Sequence, residues 1–268
     1  MNVVFLGGGR ITSAILAGLR LTGTRHCLIV HDRNAEKLRA LKRRYAAVIE
    51  SDLQNAVWRA DLLVIAVRPG SVARLLREIG EVPRVTLAVS LAAGVPLRTL
   101  NNLLGSPVRW ARAMPSPVCR SGRGLTGVTF PRALPRKDRE TVRDFFAAVG
   151  RVVEIPESRF DAFTVTYSCS HGYHALAALA DAAEEAGLDR RTALLAAAHA
   201  LADGISAWRE GKESLEELLE EASTPGGIAA TCGAAMDAAG YPRAVRKGVG
   251  AGLRHARHAI GPGSGGNR

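Results

Sequence analysis

Residues 1–20, MNVVFLGGGRITSAILAGLR, decide the fold. The run NVVFL (2–6) is short, apolar and β-branched, and reads as a buried strand; ITSAILAGLRL (11–21) repeats its apolar residues at three- and four-residue spacing, and reads as a helix. Between them lie Gly7, Gly8, Gly9, Arg10, Ile11 and Thr12. A strand, a glycine-rich turn and a helix inside a unit that returns to a second strand at residue 27 is the setting in which G-x-G-x-x-G has physical meaning. Gly7 permits the tight turn, Gly9 lets backbone approach a phosphate, and the helix start supplies unpaired N–H groups and a favourable dipole. Thr12 holds the third position, where glycine or alanine is usual. The stretch is therefore read as a pyrophosphate loop for a dinucleotide.

The alternation continues outward from it. Strands are expected at 27–31, 46–50, 62–67, 85–90, 107–112, 124–130 and 151–155, with helical stretches such as AEKLRALKRRY (35–45) and GSVARLLREI (70–79) between them. That is a doubly wound parallel sheet, a Rossmann domain over residues 1–156. From 157 to 260 strand signals give way to Ala-rich helices, punctuated by Gly187, Gly211, a capping box at SLEE (214–217) and TPGG (224–227). Long helices with little bulk often complete their core with a partner subunit, so this half is expected to form a homodimer. The tail GPGSGGNR (261–268) has too little apolar content to pack and is expected to be disordered.

Composition narrows the function. With 268 residues, 47% of them hydrophobic, the chain can bury a substantial core, yet no run approaches a membrane span and no leader with a cleavage site opens it. A cytoplasmic, membrane-free protein is expected. Cys27, Cys119, Cys169 and Cys232 form no CxxC pair, which argues against zinc and disulfides alike. The formal net charge of +11 is spread along the chain, with few aromatics beside it, so nucleic acid is not an expected partner. An anionic cofactor or substrate suits that charge.

The end of the second strand, VHDRN (30–34), addresses which dinucleotide is held. Asp32 is placed to accept ribose hydroxyls, whereas Arg33 and Asn34 suit the 2′-phosphate of NADP; the forked guanidinium of Arg33 favours NADP. AVRPG (66–70), with Ala66, Val67, Arg68 and Pro69, and SLAAGV (90–95), with Ala92, follow later strands where such a sheet opens its ligand crevice. Met114 joins this set of cofactor residues. Thr224 and Pro225 read as a cap and first-turn proline, leaving the amides of Gly226 and Gly227 for a substrate carboxylate.

Taken in order, FLGGGRIT (5–12), RNAEKLRAL (33–41), ADLLVIAVRPG (60–70), VSLAAGVPLRTL (89–100), RAMP (112–115) and TPGGIAA (224–230) resemble the pyrroline-5-carboxylate reductase family over nearly the whole chain. The resemblance implies a Rossmann domain, a helical dimerisation domain, and hydride transfer from a nicotinamide cofactor to the C=N bond of a cyclic imino acid. Three segments depart from the family pattern. Ser116, Pro117 and Val118 stand where the family carries Asn-Thr-Pro; TYSCSHGYHA (166–175) replaces a glycine- and serine-rich loop; and Ala229 takes the place of a threonine near the reacting imine.

Imine reduction needs a proton for nitrogen, and Ala229 cannot relay one. Ser170, His171 and Tyr173 are the catalytic candidates in the altered loop, with Ser168 beside the substrate; His171 and His174 equally suit a helix start and a surface position. With no third ligand in view, no metal is expected. Two other functions remain open on the same plan: a keto or β-hydroxyacid dehydrogenase, although residues 161–186 hold no lysine acid, and an inactive dinucleotide sensor.

Overall fold

The computed structural model describes residues 1–168 and 171–258. The first compact unit comprises residues 1–168 and the end of the last helix from Gly252; the second spans the chain between them.

The first unit is built on eight strands: β1 (Asn2–Leu6), β2 (Cys27–His31), β3 (Val48–Ile49), β4 (Leu62–Ile65), β5 (Thr86–Ser90), β6 (Val108–Pro115), β7 (Gly124–Thr129) and β8 (Gly150–Glu154), in the order β3-β2-β1-β4-β5-β6-β7-β8. The helices are α1 (Arg10–Leu21), α2 (Ala35–Tyr45), α3 (Leu53–Arg59), α4 (Pro69–Ile79), α5 (Leu97–Leu103), α6 (Arg136–Ala147) and α7 (Glu157–Ser168). Val3, Phe5 and Val64 face one apolar core with Ile15, Leu16, Leu19 and Phe145, while Val4, Leu6, Leu63 and Ile65 face a second with Val72, Leu76 and Trp110. Alternate residues of the same strands thus serve opposite layers, as a sheet covered on both faces requires.

Two sequence expectations are corrected. The sheet is not parallel throughout: β7 runs antiparallel to β6, because only the 3₁₀ turn Pro117–Ser121 joins them, too short for a helical crossover. The strand expected at 46–50 shrinks to Val48–Ile49, since Ala46 adopts a left-handed conformation (φ 54°) and closes α2.

Order reverses between β1 and β4, which opens the crevice at their carboxyl ends. Arg112 ties β6 to α7. Buried in β6, it pairs with Glu157 (2.9 Å) and Asp161 (3.1 Å) of α7, and its guanidinium lies 4.5 Å from the Phe160 ring centre. After β8 the described residues form helices, and the first of them, α7, belongs to the compact first unit.

The second unit contains α8 (His171–Glu185), α9 (Arg190–Glu210), α10 (Leu215–Ala222), α11 (Ile228–Ala238) and most of α12 (Tyr241–His258). Its buried cluster is Ala180, Ala193 and Ala197, where α8 packs on α9. Ser214 and Glu217 form the capping box of α10. Among the described residues no helix is long and apolar enough to cross a membrane. The tail at 261–268 lies outside the described residues.

Candidate functional site: a dinucleotide groove

β1 ends at Leu6, and Gly7 turns the chain with φ +115°, a conformation that L side chains rarely adopt. A Cβ on Gly7 would stand 2.8 Å from the Ala66 carbonyl oxygen, closer than real contacts allow. Gly7 N–H donates to the His31 carbonyl (2.8 Å), and Gly8 N–H donates to Asp32 (2.7 Å). Thr12 is fully buried, and its hydroxyl donates to the Gly7 carbonyl at 2.5 Å. The unusual third residue of the motif therefore clamps the loop from beneath. Gly9 caps α1 without a side-chain bond, and nothing lies within 4 Å of where its Cβ would stand. The first-turn amides of α1 have no partner inside the helix and none from a cap, so they remain available to an anion.

Around this loop opens a groove of about 970 Å³. Gly7, Gly9, Arg10, Ile11, Asp32, Arg33, Ala66, Val67 and Arg68 all line it, so these nine expected cofactor residues converge on one surface. The others of that set do not line it. Thr12 is buried under the loop; Ala92 and Met114 are 3% and 6% exposed within the core; Pro69 is the first residue of α4; and Asn34 caps α2, accepting from Glu36 and Lys37 N–H at 3.0 Å each. The glycine of SLAAGV has a packing role: Gly94 has φ +70°, and a Cβ there would come within 2.2 Å of the Ala256 carbonyl oxygen.

The sequence reading missed Lys37, Arg44, Ser71, Arg74, Glu78 and Arg120, which also line the groove. For α4 the signal was present, because Ser71, Arg74, Leu75 and Glu78 follow the i, i+3, i+4, i+7 stripe of one helix face. Cationic side chains outnumber the two acids, Asp32 and Glu78, along its walls. Both oxygens of Asp32 are engaged by backbone, at Gly8 N–H and Asn34 N–H (2.8 Å). Arg33 is held by Glu78 through both carboxylate oxygens, one at 2.6 Å, and this hydrogen bond keeps the Glu78 carboxyl below its ordinary pKa.

A nicotinamide dinucleotide fits what is present: the loop admits no side chain at Gly7, the helix start is uncapped, and the flanking charge is positive.

The substrate-side candidates are distributed over other elements. Ser168 ends α7, where its hydroxyl donates to the Thr164 carbonyl at 2.6 Å. The neighbouring Tyr167 was not singled out from sequence. Its phenol oxygen accepts from Leu125 N–H (2.7 Å) and shares a hydrogen bond with Ser116 Oγ (3.0 Å), so two of the three altered segments are joined directly. His171 and Tyr173 lie exposed in the first turn of α8, Tyr173 at 72%. Ser170 lies outside the described residues.

The expected cap at Thr224 is a correction. α11 starts at Ile228 with Gly227 as its cap, because the Thr224 carbonyl accepts from Gly227 N–H (2.9 Å) in a turn that Gly226 closes with φ +76°. Thr224 and Pro225 thus precede the helix. Ala229 is exposed in its first turn, and no side chain caps the helix start. Among the described residues no group of three or more His, Cys, Asp or Glu could hold a metal.

Fold and groove together define a protein with a Rossmann-type dinucleotide-binding unit and a second, helical unit. Residues 2–94 match the family model described as NADP oxidoreductase coenzyme F420-dependent, and residues 157–259 match the one described as pyrroline-5-carboxylate reductase dimerisation. The chain is 33% identical over 212 residues to the pyrroline-5-carboxylate reductase of Mycobacterium leprae, covering 75% of this chain and 71% of the relative. It is 28% identical to the enzyme of that name from Synechocystis, over 94% of this chain and 96% of the relative. In fold it matches a Plasmodium falciparum pyrroline carboxylate reductase with NADP bound, with a TM-score of 0.87 and 21% identity over 97% of this chain and 98% of that one. The chain belongs to the pyrroline-5-carboxylate reductase family, whose members are NAD(P)-dependent oxidoreductases.

Proposed function

We propose that the protein reduces the C=N bond of a cyclic imino acid of the pyrroline-5-carboxylate type, with NADPH favoured over NADH, as a homodimer assembled through its C-terminal helices. The observation that carries this reading is the groove: a loop that admits no side chain at Gly7, beside an uncapped helix start, walled by guanidinium groups. Bound there, the nicotinamide supplies the hydride.

The chain's own residues have three tasks. Gly7, Gly9, Arg10 and Ile11 hold the pyrophosphate by backbone and charge, and Arg33 receives the 2′-phosphate. The uncapped first-turn amides of α11, from Ile228 to Ala230, suit the substrate carboxylate, with Gly226 and Gly227 shaping the turn that presents them. As the C=N carbon gains hydride, its nitrogen takes a proton, for which the imidazole of His171 and the phenol of Tyr173 are the candidates, with Ser170 beside them in sequence. The partner subunit would cover exposed apolar side chains such as Leu195, Trp208 and Ile228 (60%, 47% and 85% exposed), and the matching dimerisation model supports that assembly.

NADPH oxidation followed with pyrroline-5-carboxylate, beside a panel of other cyclic imines and ketones, tests the proposal. Turnover of at least one imine is expected; cofactor binding without turnover of any panel member would refute it. The altered Ser116–Tyr167 pair and Ala229 support a substrate that differs from the family's usual one. On that reading Ala229→Thr leaves pyrroline-5-carboxylate turnover unchanged or lower, whereas a rise of roughly 100-fold or more, the scale of one general acid, would mark Ala229 as a missing relay on the ordinary substrate.

A further inference from the structure

We propose that Glu78 sets the preference between the phosphorylated and unphosphorylated dinucleotide, acting as an internal anion that competes with the 2′-phosphate for Arg33. This rests on the reading of the groove as the dinucleotide site.

Arg33 follows Asp32 at the end of β2, where a doubly wound sheet places the adenosine ribose. Its terminal nitrogen contacts both carboxylate oxygens of Glu78, which reaches across the groove from α4. Arg74, one turn earlier on the same helix, places its Nε 3.9 Å from Glu78 Oε1. One carboxylate therefore faces two guanidinium groups, an arrangement that an incoming phosphate would also favour. The phosphate brings about −1.5 to −2 charges to the place where a carboxylate already stands, so it must displace Glu78 or tolerate its repulsion.

The pair is able to open. Side chains of Arg33 and Glu78 are 55% and 38% exposed, and ion pairs at such positions hold weakly against water. Glu78 thus lowers NADP affinity without excluding it. NADH presents a hydroxyl at this position, which Asp32 is placed to accept without any need of Arg33. The effect of Glu78 therefore falls on one cofactor only, which makes it a specificity-determining residue.

Calorimetric titration of wild type, Glu78→Gln, Arg33→Ala and the double variant with NADPH, NADH and 2′,5′-ADP tests this. Glu78→Gln is expected to tighten NADPH and 2′,5′-ADP roughly 3- to 10-fold, the scale of a released surface pair plus removed like-charge repulsion, with NADH changed less than twofold. The gain should vanish when Arg33 is also replaced. Retained NADH binding certifies that each variant is folded. If wild type binds both dinucleotides and Glu78→Gln leaves their ratio unchanged, the role of Glu78 is overturned while the groove reading stands. If wild type binds neither, the groove reading falls and this inference with it.

Discussion

The two units differ in how they reach a core. The first buries Val3, Val4, Phe5, Leu6 and their neighbours completely, on both faces of one sheet, and its groove is lined by its own residues alone. The second buries little more than Ala180, Ala193 and Ala197, and leaves Leu194, Leu195, Ile205, Trp208, Leu215, Leu219 and Met236 exposed. The physical difference lies in side-chain volume. Alanine gives close helix contact but little apolar area, roughly 25 cal/mol for each Å² removed from water, so an Ala-rich unit gains less from its own packing. A unit that closes its own core around a groove, against a unit that leaves most of its large apolar side chains exposed, is what the comparison teaches.

The sharpest way to break it is at the loop. Gly7→Ala forces a methyl against the Ala66 carbonyl at a backbone conformation hostile to L residues, and should weaken NADPH binding by roughly 100-fold or more by calorimetry. Circular dichroism should show the helices of the second unit unchanged. Next in size, Arg112→Met removes the buried guanidinium between Glu157 and Asp161; stability measured by urea unfolding should fall by about 3 kcal/mol, at the low end for a broken buried pair because both carboxylates are about one-third exposed. Leu195→Glu tests the other half, and should raise the dimer dissociation constant roughly tenfold in analytical ultracentrifugation while leaving NADPH affinity intact.

The smallest effect concerns thiols. Burial pushes the Cys119 thiol up to about 11, so it stays protonated and inert at pH 8, whereas Cys27 and Cys232 are exposed. Iodoacetamide followed by mass spectrometry should label Cys27 and Cys232 first, and Cys119 only after unfolding. Early labelling of Cys119 would show that the 3₁₀ turn bearing it opens in the native protein.

Most of the fold was legible because its signals are local. NVVFL, LLVIAV and the amphipathic stretches between them carry their periodicity in a few neighbouring residues, and GGGRIT announces its own turn. The antiparallel β7 was not legible, since strand direction depends on where the chain goes after Ser121. Thr224 was misread for a related reason: its side chain suits a cap, yet the turn closed by Gly226 moves the helix start to Ile228. Asn34, expected at a phosphate, spends its side chain on the amides of α2, a local bond available whether or not a ligand is present.

By itself the sequence determined the order of elements, the phosphate loop and the family plan, because each rests on residues close together in the chain. Only the tertiary structure decided that Thr12 clamps the loop from within, that Gly94 makes room for the last helix, and that Ser116 and Tyr167 form one unit. It alone decided, too, that Arg33 is held by Glu78, 45 residues away. Such pairings join segments far apart in sequence, and spacing along the chain carries no information about which charges the sheet will bring within hydrogen-bond distance.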